Sequence, residues 1–198
     1  MKLRTVIILI FISLAGAIAL VSFTAAVPKT HPLKFTVPKG WPQPVYDFKS
    51  NPLTEEGFQL GRKLFYDGRL SRNGNFPCAS CHQQFAAFAT YDHSISHGFN
   101  NAFTARNAPA LANLAWQKEF MWDGGINHLD LQPLAPITDT SEMAESLENV
   151  IKKIKADAAY KKMFTAAFGD AQINTQRITK ALCQFLVMLL SRNGQYVG

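Results

Sequence analysis

Cys78, Cys81 and His82 stand in the run Cys78-Ala79-Ser80-Cys81-His82, which gathers two thiols and an imidazole within five residues. Residues three and four apart share one face of a helical turn, so the three side chains are offered to a single partner. Cys-x-x-Cys-His is the attachment sequence for a c-type haem. The thiols add to the two porphyrin vinyl groups and His82 Nε2 meets the iron. Zinc is the competing chemistry, because Cys78, Cys81, His93 and His97 follow one another at nearly the spacing of a two-Cys, two-His finger. A finger leaves His82 unexplained, and no hairpin pattern flanks the cysteines. The third thiol, Cys183, lies in the apolar run Ala181 to Leu186 and reads as buried and inert.

Haem c is attached after export, and the chain begins like an exported protein. Lys2 and Arg4 precede an apolar run from Val6 to Val21, followed by the small residues Ala25 and Ala26. We therefore expect a signal peptide over 1–26 and a periplasmic mature chain. An uncleaved leader would instead serve as a membrane anchor.

The chain has 198 residues and a formal net charge of +6. Without Lys2 and Arg4, 18 basic residues face 14 acidic ones, a weak excess with no basic cluster interleaved with aromatics. Nucleic-acid binding is therefore not expected. The length beyond the leader suits one domain with a real core.

Certain elements must position the motif. Prolines at 28, 32, 38, 42, 44 and 52 predict an extended, surface-docked segment over 27–52, with the haem domain following over 53–198. Thr54 is a candidate N-cap for a helix carrying Phe58, Leu60, Leu64 and Phe65, ended by Asp67-Gly68. Pro77 opens the short helix of the motif. From Ala89 to Arg106 neither helical nor alternating period is present, which predicts a long functional loop. Further helices are predicted over Ser141 to Lys155, over Ala158 to Phe168 with Gly169 at its end, and from Asn174 or Thr175 through Leu189. Strand patterns are almost absent. The fold class is mostly α, a cytochrome c-like haem domain with long loops.

With these pieces in place, the chain resembles the bacterial di-haem cytochrome c peroxidase family, near the branch of tryptophylquinone-maturing di-haem enzymes. The resemblance runs from about Asn51 to Tyr196. It rests on Leu64-Phe65-Tyr66-Asp67, the Cys78 to His82 motif, Ser96-His97-Gly98 and Arg106-Asn107-Ala108-Pro109. Met121-Trp122-Asp123-Gly124-Gly125, Gln132-Pro133-Leu134 and Ser141-Glu142-Met143 follow in the same order.

The resemblance implies a peroxidatic haem reducing hydrogen peroxide to water with electrons from a small redox protein. It makes His97 the distal iron ligand of the resting oxidised state, with His93 a second candidate that lacks the following glycine. Cleavage of the O–O bond needs a group that takes a proton from one oxygen and returns it to the other, and a donor to hold developing negative charge. Glu142 and Gln132 match the family's residues for these two tasks. Trp122 matches an electron relay between two haems, and Trp116 reads as core. Arg106 would pair with a haem propionate. Asn107 matches a residue that helps bind Ca²⁺ together with oxygen ligands from a second domain. A homodimer is compatible with the resemblance.

A full-length relative continues into a second haem domain, whereas this sequence carries one haem motif, so the chain reads as the N-terminal half of a longer enzyme. The rival reading is a mono-haem electron carrier in which His97 stays bound and no peroxide reacts.

Overall fold

Thr54 opens the first helix, α1, at Glu55–Phe65, where its hydroxyl accepts the Gly57 N–H at 3.0 Å. Glu55 and Glu56 sit at the positive end of the helix dipole and Arg62 and Lys63 at the negative end. The computed structural model describes residues 29–192; the expected leader and the end of the chain after Arg192 lie outside that range. The buried stripe of α1 is Leu60, Gly61, Leu64 and Phe65. Each large apolar member contributes about 1.5–3 kcal/mol by leaving water.

Among the described residues four more α-helices follow: α2 at Leu134–Thr138, α3 at Leu147–Lys155, α4 at Ala158–Phe168 and α5 at Thr175–Leu186. Helix α5 packs along α1 at a separation that only glycine allows. A Cβ on Gly61 would lie 1.8 Å from the Ala181 carbonyl oxygen. Tyr160 and Phe164 of α4 and Ile178, Leu182 and Cys183 of α5 complete the core. Asp157 and Asn174 cap α4 and α5 as side-chain acceptors, and Gly169 ends α4 at φ 91°. The described residues form one helix-rich domain without a sheet, consistent with a cytochrome c-like haem fold. Among them, no helix is long and apolar enough to cross a membrane.

Over the described residues 29–52 the proline-rich segment carries no helix and is tied to the domain at both ends. Leu33 N–H donates to Leu53 O at 3.0 Å, and Val45 and Tyr46 N–H both donate to Ala115 O. Phe35 of the segment packs in tilted contact with Phe48 and with Trp116 of the domain.

Three expectations differ from the structure. The last helix, expected through Leu189, ends at Leu186. The helix predicted over Ser141 to Lys155 begins only at Leu147, capped by Ser146, whose hydroxyl accepts the Asn149 N–H. Residues 141–145 turn back instead, because the Glu142 and Ala144 N–H groups both donate to Asp139 O and Ala144 takes a left-handed φ of 54°. Helix α2 has no counterpart among the expected elements. Pro133 precedes it and Pro136 lies in its first turn, where a missing N–H costs no hydrogen bond, so two apparent helix breakers conceal a helix.

Candidate functional site

The motif cysteines are placed by a tight turn. Pro77 enters it in extended conformation, Cys78–Ser80 form a single 3-10 turn, and the Cys81 and His82 N–H groups both donate to Cys78 O, at 3.2 and 2.9 Å. Cys78, Cys81 and His82 then line one cavity of about 340 Å³, within the range of cofactor sites. Phe65, Phe76, Leu111, Met143, Leu182 and Leu186 give it apolar walls from α1, α5 and the loops.

His82 is oriented by its Nδ1, which lies 2.7 Å from the Phe88 carbonyl oxygen. A carbonyl only accepts, so Nδ1 carries the proton and Nε2 keeps its lone pair for a metal. Burial lowers the His82 pKa against the opposing pull of the Phe88 and Pro109 carbonyls, so the ring is neutral, as a ligand must be. Burial pushes the Cys78 thiol up to about 12 and the Cys81 thiol up to about 11, with Glu142 adding to both. Two protonated thiols beside an imidazole with a free Nε2, on an apolar cavity, fit a covalently held haem. They do not fit zinc. His97 does not line the cavity that the thiols face, and no group of three or more His, Cys, Asp or Glu side chains is gathered for a metal ion among the described residues.

Glu142 reaches the same cavity from the turned-back loop between α2 and α3. Burial raises its pKa, and the neighbouring Asp139 carboxylate raises it further. A carboxyl held above its ordinary range is better suited to take and return a proton than an exposed one. Gln132, at the start of the α2 region, also lines the cavity and directs its Nε2 at Met121 Sδ, 3.7 Å away. The 120–126 segment reverses through paired Phe120 and Ile126 backbones and presents Met121, Trp122 and Asp123 at the rim. Trp122 is 63% exposed, with its indole N–H donated to Asn107 O at 2.7 Å. Arg106 is exposed at the same rim, 3.9 Å from Asp123.

Asn107 has a structural engagement that the sequence does not announce. Its Oδ1 accepts from Ser96 Oγ at 2.8 Å, while Ser96 Oγ accepts the Ala108 N–H and lies 2.7 Å from Thr90 Oγ1. Thr90 Oγ1 donates to Cys81 O. Ser96, almost fully buried, thus ties the haem motif to the Arg106–Pro109 segment. Its place beside His97 in the quoted motif was the only signal for it.

His97 is not brought to the cavity. Its Nδ1 is 2.7 Å from Asn101 Oδ1, and its ring packs on Phe103 and His93. Only its carbonyl faces the motif, accepting from Cys81 Sγ at 3.3 Å. The adjacent Gly98 lies flush against the Glu142 loop. A Cβ there would stand 2.0 Å from Ser141 O, and Phe99 N–H donates to Glu142 O at 2.6 Å. Cys183 is fully buried, as its surroundings predict, and Trp116 is half-buried with its N–H donated to Pro42 O.

Residues 55–197 match the family model described as di-haem cytochrome c peroxidase. The methylamine utilization protein MauG of Methylophilus methylotrophus is 38% identical over 158 residues, 80% of this chain and 46% of that protein. Cytochrome c551 peroxidase of Nitrosomonas europaea is 30% identical over 156 residues, 78% of this chain and 46% of that one. A solved structure described as a MauG-like protein associated with microbial copper homeostasis superposes with a TM-score of 0.73 at 36% identity, covering 80% of this chain and 47% of its own. The chain spans about half the length of the curated relatives it matches.

Proposed function

Because the chain belongs to the di-haem cytochrome c peroxidase family, we propose that its cavity holds haem c and reduces hydrogen peroxide to water with electrons from a small redox protein. The observation that carries this reading is Glu142, a carboxyl of raised pKa sharing one cavity with Cys78, Cys81 and His82.

When bound, the haem supplies an iron that passes electrons to the O–O bond. Cys78 and Cys81 would hold it, His82 would offer its Nε2 to the iron, and Arg106 at the rim would be available to a propionate. Glu142 takes a proton from one peroxide oxygen and returns it to the other as the bond breaks, and the Gln132 amide N–H steadies the departing oxygen. Two electrons and two further protons complete the two waters. Trp122, exposed at the rim, is the relay through which electrons arrive. A further haem domain, of the kind the family's name implies, would supply them.

His97 as distal ligand would require the 97–103 turn to give up its Asn101 bond and its stacking on Phe103, so we assign the distal side to Glu142 and Gln132. A carrier reading needs a second ligand in place, and His97, the residue expected to supply it, does not line the cavity. Ca²⁺ binding by Asn107 would draw on the Oδ1 that Ser96 engages, with oxygen ligands from a further domain. The 1–26 leader and attachment of haem after export support a periplasmic location.

The test is single-turnover mixing of peroxide with the haem-loaded His97→Ala protein, with and without Glu142→Gln. Removing the His97 ring from both proteins leaves the carboxyl as the one difference between them. We expect an unchanged haem spectrum and a loss of about 10² to 10⁴ in rate. An unchanged rate removes Glu142 from the chemistry, and no peroxide reaction in either protein favours the carrier.

A further inference from the structure

The Glu142 loop has no helix of its own to hold it, so its position depends on what it is tied to. Met143 N–H donates to Pro136 O, Glu145 N–H to Ile137 O, and Met143 O accepts Arg72 N–H at 3.0 Å. These bonds reach the short α2 and the 71–72 turn, and the Phe99 N–H adds one to Glu142 O. Three residues beyond Glu142, the chain buries a charge. Glu145 is 6% exposed, and its carboxylate pairs with the ammonium of Lys153 on α3.

Both ions are fully used. Glu145 Oε1 accepts Ser146 N–H at 2.9 Å and Asn149 Nδ2 at 3.2 Å, while Oε2 faces Lys153. Lys153 Nζ has three donors, and the other two go to Ser71 O at 2.6 Å and Arg72 O at 3.2 Å. A single ammonium therefore joins α3, the 71–72 turn and the end of the Glu142 loop. The turn it holds is the one whose Arg72 N–H grips Met143, next to Glu142. Burial alone would raise the Glu145 carboxyl. Lys153, the Ser146 N–H and Asn149 outweigh it and hold the group below the usual range, so the pair stays charged at neutral pH.

We propose that the Glu145–Lys153 pair is a positioning device for Glu142, clamping its loop from both sides so that the carboxyl meets peroxide at a defined place. The proposal rests on Glu142 acting as the acid–base group. A buried ion pair is weak support for stability, since apolar residues of similar volume often serve as well. Its geometry here suits holding a non-helical loop at a fixed point, which an apolar contact does less specifically.

The test substitutes both partners, Glu145→Gln with Lys153→Met, so that no lone buried charge remains. It is made in the His97→Ala protein with haem attached. The haem spectrum should be retained. Amide hydrogen exchange should rise at Met143 to Ser146 while α1 and α5 stay protected. Peroxide reduction should slow by about 10²-fold, the scale of a 1 Å misplacement.

The deciding measurement repeats the substitution on Glu142→Gln. A positioning pair has nothing left to position there, so no further loss is expected, whereas losses that multiply would mean that the pair acts on its own and overturn the proposal. Slowing by Glu142→Gln with none from the pair variant sinks the positioning role alone. A silent Glu142→Gln sinks the acid–base reading and this inference with it. Should the pair variant fail to fold, Asn149→Ala removes one neutral partner of Glu145 and leaves the charges paired. It should give a smaller loss that is likewise absent on Glu142→Gln, and an equal loss in both backgrounds would overturn the clamp.

Discussion

Replacing Gly98 by alanine puts a methyl group where the Glu142 loop already is. The new Cβ would lie 2.0 Å from Ser141 O and 2.6 Å from both Cα and O of Glu142, whereas ordinary contact starts at 3.4 Å. The Ser141 carbonyl or the Gly98 backbone must therefore retreat by about 1.4 Å, the difference between the contact distance and the built one. The backbone of Gly98, at φ −112°, accepts alanine without strain, so the whole effect is this collision. Overpacking of this kind costs about 1–3 kcal/mol in stability. A displacement near 1 Å at an acid–base group costs about 10² in rate. Both are read in the haem-loaded His97→Ala protein, the first from the urea midpoint and the second from single-turnover mixing with peroxide.

The pH profile separates displacement from general loosening. Burial raises the Glu142 pKa, so a carboxyl pushed toward water falls back toward the ordinary value of about 4.3 and the acid limb of the rate moves to lower pH. A Gly98→Ala protein with lowered stability, but with a peroxide rate within about threefold of the parent and an unmoved acid limb, would refute the coupling between the two loops; the threshold is set well below the 10² expected.

Glu142→Gln should melt at a higher temperature than the parent at pH 7. The raised folded-state pKa means that ionised Glu142 costs the fold stability, a cost present as pH rises through the folded pKa and absent below the unfolded value of about 4.3; a thermal midpoint that does not rise at neutral pH, or a gain that persists in acid, counts against the buried carboxyl. Cys78→Ser together with Cys81→Ser should abolish the haem band that survives denaturing electrophoresis, while Cys183→Ser, buried in α5 away from the cavity, should leave it intact. A retained band in the double variant would end the covalent haem assignment.

What could be read along the chain was local. Thr54, Asn174 and Gly169 announce helix ends because capping depends on a residue and its near neighbours. The Cys78 to His82 motif is legible for the same reason, since one turn carries both thiols and the imidazole. The overlong helix predicted from Ser141 shows where this reading stops. Met143 fits the apolar period and is buried, yet the chain before Ser146 folds back on Asp139. Periodicity counts which residues are apolar and does not register the left-handed φ of Ala144.

By itself, then, the sequence determined the haem chemistry, the helix-rich class and the residues from which a site would be built, because those follow from side-chain type and short-range spacing. The tertiary structure alone decided which of them meet. It gathered Cys78, Cys81, His82, Gln132 and Glu142 on one cavity, since α1 and α5 close together at Gly61 and the loops lie across them. It held His97 outside through an Asn101 bond formed within its own turn. It joined Glu145 to Lys153 and the 71–72 turn, a contact spanning some eighty residues. No local pattern encodes that contact, because its partners are set by how the helices pack.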